Sequence, residues 1–232
     1  MSGDARLFAQ RMDTLYRTDG EGRMVGSNEW DSRTAPRFHL MRTARGPIAR
    51  FRHGLPDDLV RRLLDLAAQE RDAQALDRLS ALHDRYLEVL AEHASVERVW
   101  SGPAYLADAE PPADGAAVTI DEHNAGLLRE TFKDWLPDVP HRRPFLAQVD
   151  AGQAVAICAS VRISDAVHCA GVETHPDHRR RGHAVAVVGA WVGAVRDLGA
   201  TPFYSTSWDN LASQRVAYRL GLRLVGVDLH VT

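Results

Sequence analysis

Residues 174–200 read THPDHRRRGHAVAVVGAWVGAVRDLGA, and this stretch decides the fold of the second half of the chain. Three consecutive arginines, Arg179, Arg180 and Arg181, stand before Gly182. Apolar residues then recur at Ala184, Val188, Trp191, Val195 and Leu198, the spacing of one helix face. Upstream, QAVAICASVRI (153–163) and AVHCAGVET (166–174) are strand-like runs joined by a turn around Ser164 and Asp165. A strand running through an arginine-rich turn into a helix suits an anion. The first helical N–H groups have no intrahelical acceptor, the helix dipole favours negative charge, and a glycine lets the ligand approach the backbone. The arginines add charge-assisted donors for phosphate. From the residues alone two readings stay open: a pyrophosphate cradle, or a solvated charged turn capping a buried helix. The stretch has no Lys-Ser/Thr ending of a Walker loop and no G-x-G-x-x-G.

Outward from this stretch, TPFYSTSW (201–208) reads as a strand, NLASQRVAYRL (210–220) as a helix and LRLVGVDLHV (222–231) as a last strand. AAVTI (116–120) and PFLAQVD (144–150) are short strands around a helical region containing Leu127, Leu128, Phe132, Trp135 and Leu136. The expected architecture for 111–232 is a mixed α/β domain. Residues 37–110 form a helical and mixed extension. RFHLMRTARGPIARFR (37–52) supplies two strands around Gly46 and Pro47. Helices follow on Leu59, Leu63, Leu66 and Ala67, and on Leu79, Leu82, Tyr86 and Leu90. Residues 1–36 show no sustained period and read as an irregular arm, and a boundary is expected near 108–116 in a Gly/Pro-rich break.

Composition narrows the class. The 232 residues are 45% hydrophobic and 25% charged with a formal charge of −3, an ordinary globular balance that argues against wholesale nucleic-acid binding. No apolar run reaches membrane-spanning length, and the first twenty residues do not read as a signal peptide. Two cysteines, Cys158 and Cys169, are too few for a disulfide framework, so a reduced, cytoplasmic setting is the expectation. Both read as structural thiols. His168, His175, His178 and His183 lack metal-ligand spacing, so no metal site is expected, while His175 stays open as a proton relay.

The arginine stretch resembles the acetyl-coenzyme A loop of the GCN5-related N-acetyltransferase (GNAT) superfamily, Gln/Arg-x-x-Gly-x-Gly/Ala, through Arg179, Gly182 and Ala184, with Pro176 before it. NLASQRVAYRLGL resembles that family's Asn-containing helix through Asn210, Ser213, Tyr218, Gly221 and Leu222. The resemblance covers about 117–232. It implies a GNAT-like, largely antiparallel central sheet flanked by helices, opened by a splay between the strands holding Val172 and Tyr204. It implies acetyl-CoA as cosubstrate, no metal, and direct acetyl transfer to a primary amine. Val172, Thr174, Arg179, Arg180, Arg181, Gly182, His183, Ala184, Asn210 and Ser213 would then contact the coenzyme, although Asn210 and Ser213 read equally well as helix-start residues.

In the same reading Tyr218 is the proton donor or hydrogen-bond partner of the departing thiolate, and Glu173 the general base, directly or through water. Packing residue and paired structural carboxylate remain their open alternatives. Tyr204 and Trp208 are expected to line the acceptor pocket, with aromatic packing as the other explanation. The acceptor is a small-molecule or peptide amine, and the oligomeric state is open, a homodimer through the final strand among the options. A non-catalytic acyl-CoA-binding regulatory module would keep the cradle and leave Glu173 and Tyr218 structural. A phosphate-binding interaction domain would leave the second motif unexplained.

Overall fold

The computed structural model describes residues 3–70, 76–108 and 117–232. The expected break at 108–116 therefore lies almost wholly outside the described residues. The chain forms two compact units. The first takes residues 1–105, 205–210 and 224–232, and the second 106–204 and 211–223.

The first unit opens on a helix, α1 (Gly3–Leu15), where no period was expected. Phe8, Arg11 and Met12 form its buried face. The arginine among the apolar positions hides the stripe from a hydrophobicity reading. A hairpin of β1 (Tyr16–Thr18) and β2 (Met24–Ser27) follows, its turn fixed by Asp19 Oδ1, which accepts from the backbone N–H groups of Glu21 and Arg23. Then come β3 (Phe38–Thr43) and β4 (Gly46–Phe51), antiparallel and closed at Gly46 with φ +111°. Next are α2 (Asp57–Ala67), α3 (His83–His93) and β5 (Val99–Leu106), and the last strand is β11 (Arg223–Val231). In this unit the strand order is β4-β3-β11-β5.

Strand alternation gives this sheet two chemically different faces. Phe38, Leu40, Leu229 and Val231 pack with Leu59, Leu63 and Leu66 of α2 and Tyr86 and Leu90 of α3. The alternate residues, His39, Met41 and Asp228, meet α1. Arg11 donates to Asp228 Oδ1 and Oδ2 at 2.9 and 2.7 Å, and both side chains are 1% exposed. His39 Nε2 lies 3.2 Å from Asp228 Oδ1 and His39 Nδ1 2.9 Å from the Tyr16 hydroxyl. An ionised Asp228 can only accept, so Nε2 carries the imidazole proton and Nδ1 accepts from Tyr16. Burial pushes the His39 pKa down, partly opposed by Asp228.

The second unit contains β6 (Val118–Thr119), β7 (Phe145–Asp150), β8 (Gln153–Ile163), β9 (Val167–Thr174), α4 (His183–Asp197), β10 (Thr201–Ser205, of which Thr201–Tyr204 lie in this unit) and α5 (Leu211–Arg219). Strand order is β10-β9-β8-β7-β6, antiparallel throughout except for β9 and β10, which α4 joins as a crossover. This is the mixed α/β, largely antiparallel architecture that the resemblance implies. The helical region expected near 127–136 is instead two 3-10 segments, Ala125–Leu128 and Lys133–Asp138. Pro137 inside the second removes a donor, and Leu128 and Phe132 still reach the core beside Phe145 and Ile157.

Helix α4 buries Val188, Trp191 and Val195 as its period requires, whereas Leu198 is 64% exposed beyond its end. Trp191 Nε1 donates to Ser160 Oγ at 3.0 Å, and Ser160 Oγ lies 2.8 Å from His168 Nδ1, which ties α4 to β8 and β9 in the core. Among the described residues no helix is long and apolar enough to cross a membrane.

Candidate active site

Strand β9 separates from β10 part-way along its length. The parallel register runs Thr201↔Val167, Pro202↔His168 and Phe203↔Cys169. Beyond that, Ala170 to Thr174 keep their antiparallel partners in β8, from Ser160 to Ala156, and pair with nothing in β10. One edge of β9 at Val172 and Thr174 is therefore left open to an extended ligand, with Thr174 O already accepting from Arg179.

The strand then delivers the chain to the arginine loop. His175 N–H donates to Val155 O at 3.0 Å, and Pro176–His178 make one 3-10 turn. Arg179 Nε is tied back to Thr174 O at 3.2 Å, Arg180 adopts φ +65°, and Gly182 at φ +89° is the N-cap of α4. No side chain caps that terminus, and a Cβ at Gly182 would meet nothing within 4 Å. His183, Ala184 and the following residue begin the helix with N–H groups that have no intrahelical acceptor, the first such bond being Ala186 N–H to Gly182 O. Arg179, Arg180 and Arg181 are exposed around it. His175, His178 and His183 stack in series, with ring centroids 5.8 and 6.2 Å apart.

Glu173 lies on the strand face that it shares with Gly171, as alternation expects, and accepts a hydrogen bond from Trp135 Nε1 at 2.7 Å on Oε2. In the sequence Trp135 carries only a helical spacing, and nothing there pairs it with position 173. The glycine at 171 makes room: a Cβ there would come within 2.3 Å of Val161 Cγ1 and 3.0 Å of Trp135 Cη2. Tyr204, just past the last β10 residue that pairs with β9, is buried, with its hydroxyl 2.6 Å from Ser213 Oγ on α5. Tyr218 stands on another side of α5. It is five residues from Ser213, about 140° around the helix, and 86% exposed, while its neighbour Ala217 is fully buried. Trp208 and Asn210 fall in the first unit. Trp208 N–H donates to Ser101 O, and Asn210 N–H to Ser207 O, each at 3.2 Å, with α5 starting at the next residue.

Cys158 and Cys169 are buried and form no disulfide, and burial raises the Cys158 pKa well above its usual value. In the first unit His39, Asp228 and His230 bring ligand-type atoms within 4.8 Å of one another. The Asp228 carboxylate is already neutralised there by Arg11 on both oxygens, which makes the cluster a buried charge network.

An open strand edge leading into an arginine-rich helix terminus is the arrangement that the resemblance implies. The model of the GNAT acetyltransferase family matches residues 146–226, from β7 into β11. Over this segment the chain is similar to the GNAT superfamily. Among solved structures, a GCN5-related N-acetyltransferase-like protein from Streptococcus suis is 17% identical with a TM-score of 0.50, over 99% of this chain and 100% of that one. A GCN5-related N-acetyltransferase from Sphaerobacter thermophilus is 18% identical with a TM-score of 0.51, over 87% of this chain and 78% of that one. A GNAT-family protein from Novosphingobium aromaticivorans is 20% identical with a TM-score of 0.50, over 59% of this chain; the match spans 65% of that protein's length. At these identities the likeness is one of fold. No curated protein matches the chain.

Proposed function

We propose that this chain is a GNAT member and transfers an acetyl group from acetyl-CoA to a primary amine by direct attack, without a covalent enzyme intermediate. The observation that carries the reading is the unpaired edge of β9 at Val172 and Thr174 running directly into the uncapped, arginine-flanked start of α4. The donor set suits a pantetheine amide chain followed by a pyrophosphate: extended backbone for the first, helix N–H groups and guanidinium for the second. Acetyl-CoA supplies an activated carbonyl and a thiolate leaving group. Glu173 takes the proton from the amine, so that the lone pair is free to attack.

Two hydroxyls are candidates for the thiolate. The resemblance nominates Tyr218, but the position of Tyr204 at the separated end of β10, with Ser213 holding its hydroxyl, favours Tyr204. Tyr204→Phe is accordingly expected to lower kcat about tenfold and Tyr218→Phe to change it less than twofold. The reverse ranking in steady-state kinetics would return the role to Tyr218.

The exposure of Tyr218 also gives the second reading its one support, a non-catalytic acyl-CoA-binding module. A continuous assay of coenzyme A release over small amines, amino acids and peptide N-termini, with product mass checked for one added acetyl group, separates the two. Acceptor-dependent release supports the enzyme, and tight binding without turnover supports the module. Gly182→Asp places a carboxylate and a strained φ beside the phosphate site. It is expected to weaken acetyl-CoA binding about tenfold or more by calorimetry, and unchanged affinity in the folded variant removes the cradle from this loop.

A further inference from the structure

The geometry points to Trp135 as a positioning residue for Glu173, acting on acetyl transfer through the carboxylate it holds. This rests on the acetyl-transfer reading and on Glu173 as its base. Glu173 is exposed, so water solvates its charge whether or not a protein donor reaches it. The indole N–H at 2.7 Å therefore does something other than rescue a buried anion. It fixes the otherwise freely turning end of a glutamate. Because it occupies Oε2 alone, Oε1 remains to receive a proton, in a direction set by the ring.

The ring is itself held from several sides within the second unit. Its backbone N–H donates to Phe132 O at 2.9 Å, and Phe145 meets it edge-on with centroids 5.8 Å apart. The Arg142 guanidinium lies 5.1 Å from the ring centroid, and Arg142 is paired to Asp138 at 3.1 Å with both side chains 11% exposed. Gly171 and Val161 close the remaining side, leaving no room for a β-carbon at 171. A partly buried tryptophan restrained from this many sides, with its indole N–H on a carboxylate beside the opening of β9, is built to hold that carboxylate's orientation. Misplacing a reacting group by about 1 Å costs on the order of a hundredfold in rate, so losing this restraint should be visible in kcat.

The test is a double-mutant cycle on acceptor-dependent turnover with wild type, Trp135→Phe, Glu173→Gln and the double variant, alongside acetyl-CoA binding by calorimetry. Trp135→Phe is expected to lower kcat about tenfold with acetyl-CoA affinity unchanged, and to cost nothing further once Glu173 is Gln. The same loss in both backgrounds, or a loss of coenzyme affinity, would show a merely structural tryptophan and overturn the inference. Glu173→Asp retracts the carboxylate from the indole with Trp135 in place. It should lose activity by a similar factor, and full activity overturns the inference even if Trp135→Phe does not fold. Absence of turnover in wild type overturns the acetyl-transfer reading itself and this inference with it, whereas turnover indifferent to Trp135 overturns only the inference.

Discussion

Arg11→Met is expected to remove about 3–5 kcal/mol of unfolding free energy, because it strands Asp228 in a site where both partners are 1% exposed. The paired carboxylate has already lost its water, and the His39 N–H, a neutral donor, does not replace the charge of the lost guanidinium. Denaturant unfolding followed by tryptophan fluorescence measures the loss. The double variant Arg11→Met/Asp228→Leu should recover much of it, since a buried ion pair replaced whole by apolar residues is often neutral. A single variant within 1 kcal/mol of wild type would show that the pair contributes no stability.

The same network sets an acid dependence. For Asp228, burial raises the pKa, but the Arg11 charge and the His39 hydrogen bond more than offset this and hold it well below the usual carboxylate range. Its contribution is present above about pH 3.9 and is lost as pH falls towards the folded-state value. His39 is depressed by burial, so below about pH 6.5 the unfolded chain takes up a proton that the folded one refuses, and stability falls there first. Unfolding midpoints should therefore be lower at pH 5 than at pH 7.5.

Glu173→Gln is expected to cut acceptor-dependent kcat by about a hundredfold to ten-thousandfold, the usual worth of a general base. The amide keeps the size of the side chain and can still accept the Trp135 N–H, but it cannot take up the amine's proton. Acetyl-CoA affinity should be unchanged, because the cradle at Gly182 is built from other groups. Raising the pH so that more acceptor is already deprotonated should restore part of the rate. Rates equal to wild type at neutral pH would remove Glu173 from the chemistry.

What the sequence made legible was what repeats. The period of Val188, Trp191 and Val195, the runs at 153–163 and 167–174 and the Arg-x-x-Gly-x-Ala loop were readable because each is local: one helix face, one strand, one turn. The interruption between β9 and β10 after Cys169 followed from the resemblance and not from any residue pattern. Three features are not legible in the sequence, two because their meaning depends on a distant partner and the third because only the folded helix sets its exposure. Arg11 looks like a surface charge until Asp228, 217 positions later, is placed opposite it. Trp135 looks like core until Glu173 takes its N–H. Tyr218 looks well placed in a motif until the helix turns its ring to solvent. One signal for the pair does stand in the sequence: Asp228 interrupts an apolar strand, and a charge at such a position calls for a buried counter-ion.

The first unit is closed by residues 224–232, and in it β11 lies between β3 and β5 rather than at an edge. During synthesis on the ribosome, then, the part of the protein made first is the part finished last. Its α1 emerges long before the Asp228 that Arg11 pairs with, and β3 waits nearly two hundred residues for the strand that completes it. Contacts of such sequence separation are slow to form, since the chain between them must be ordered before they contribute anything. The second unit, whose strands from β6 to β10 are contiguous in sequence, can assemble during that wait. The second unit would thus precede the first into the folded state.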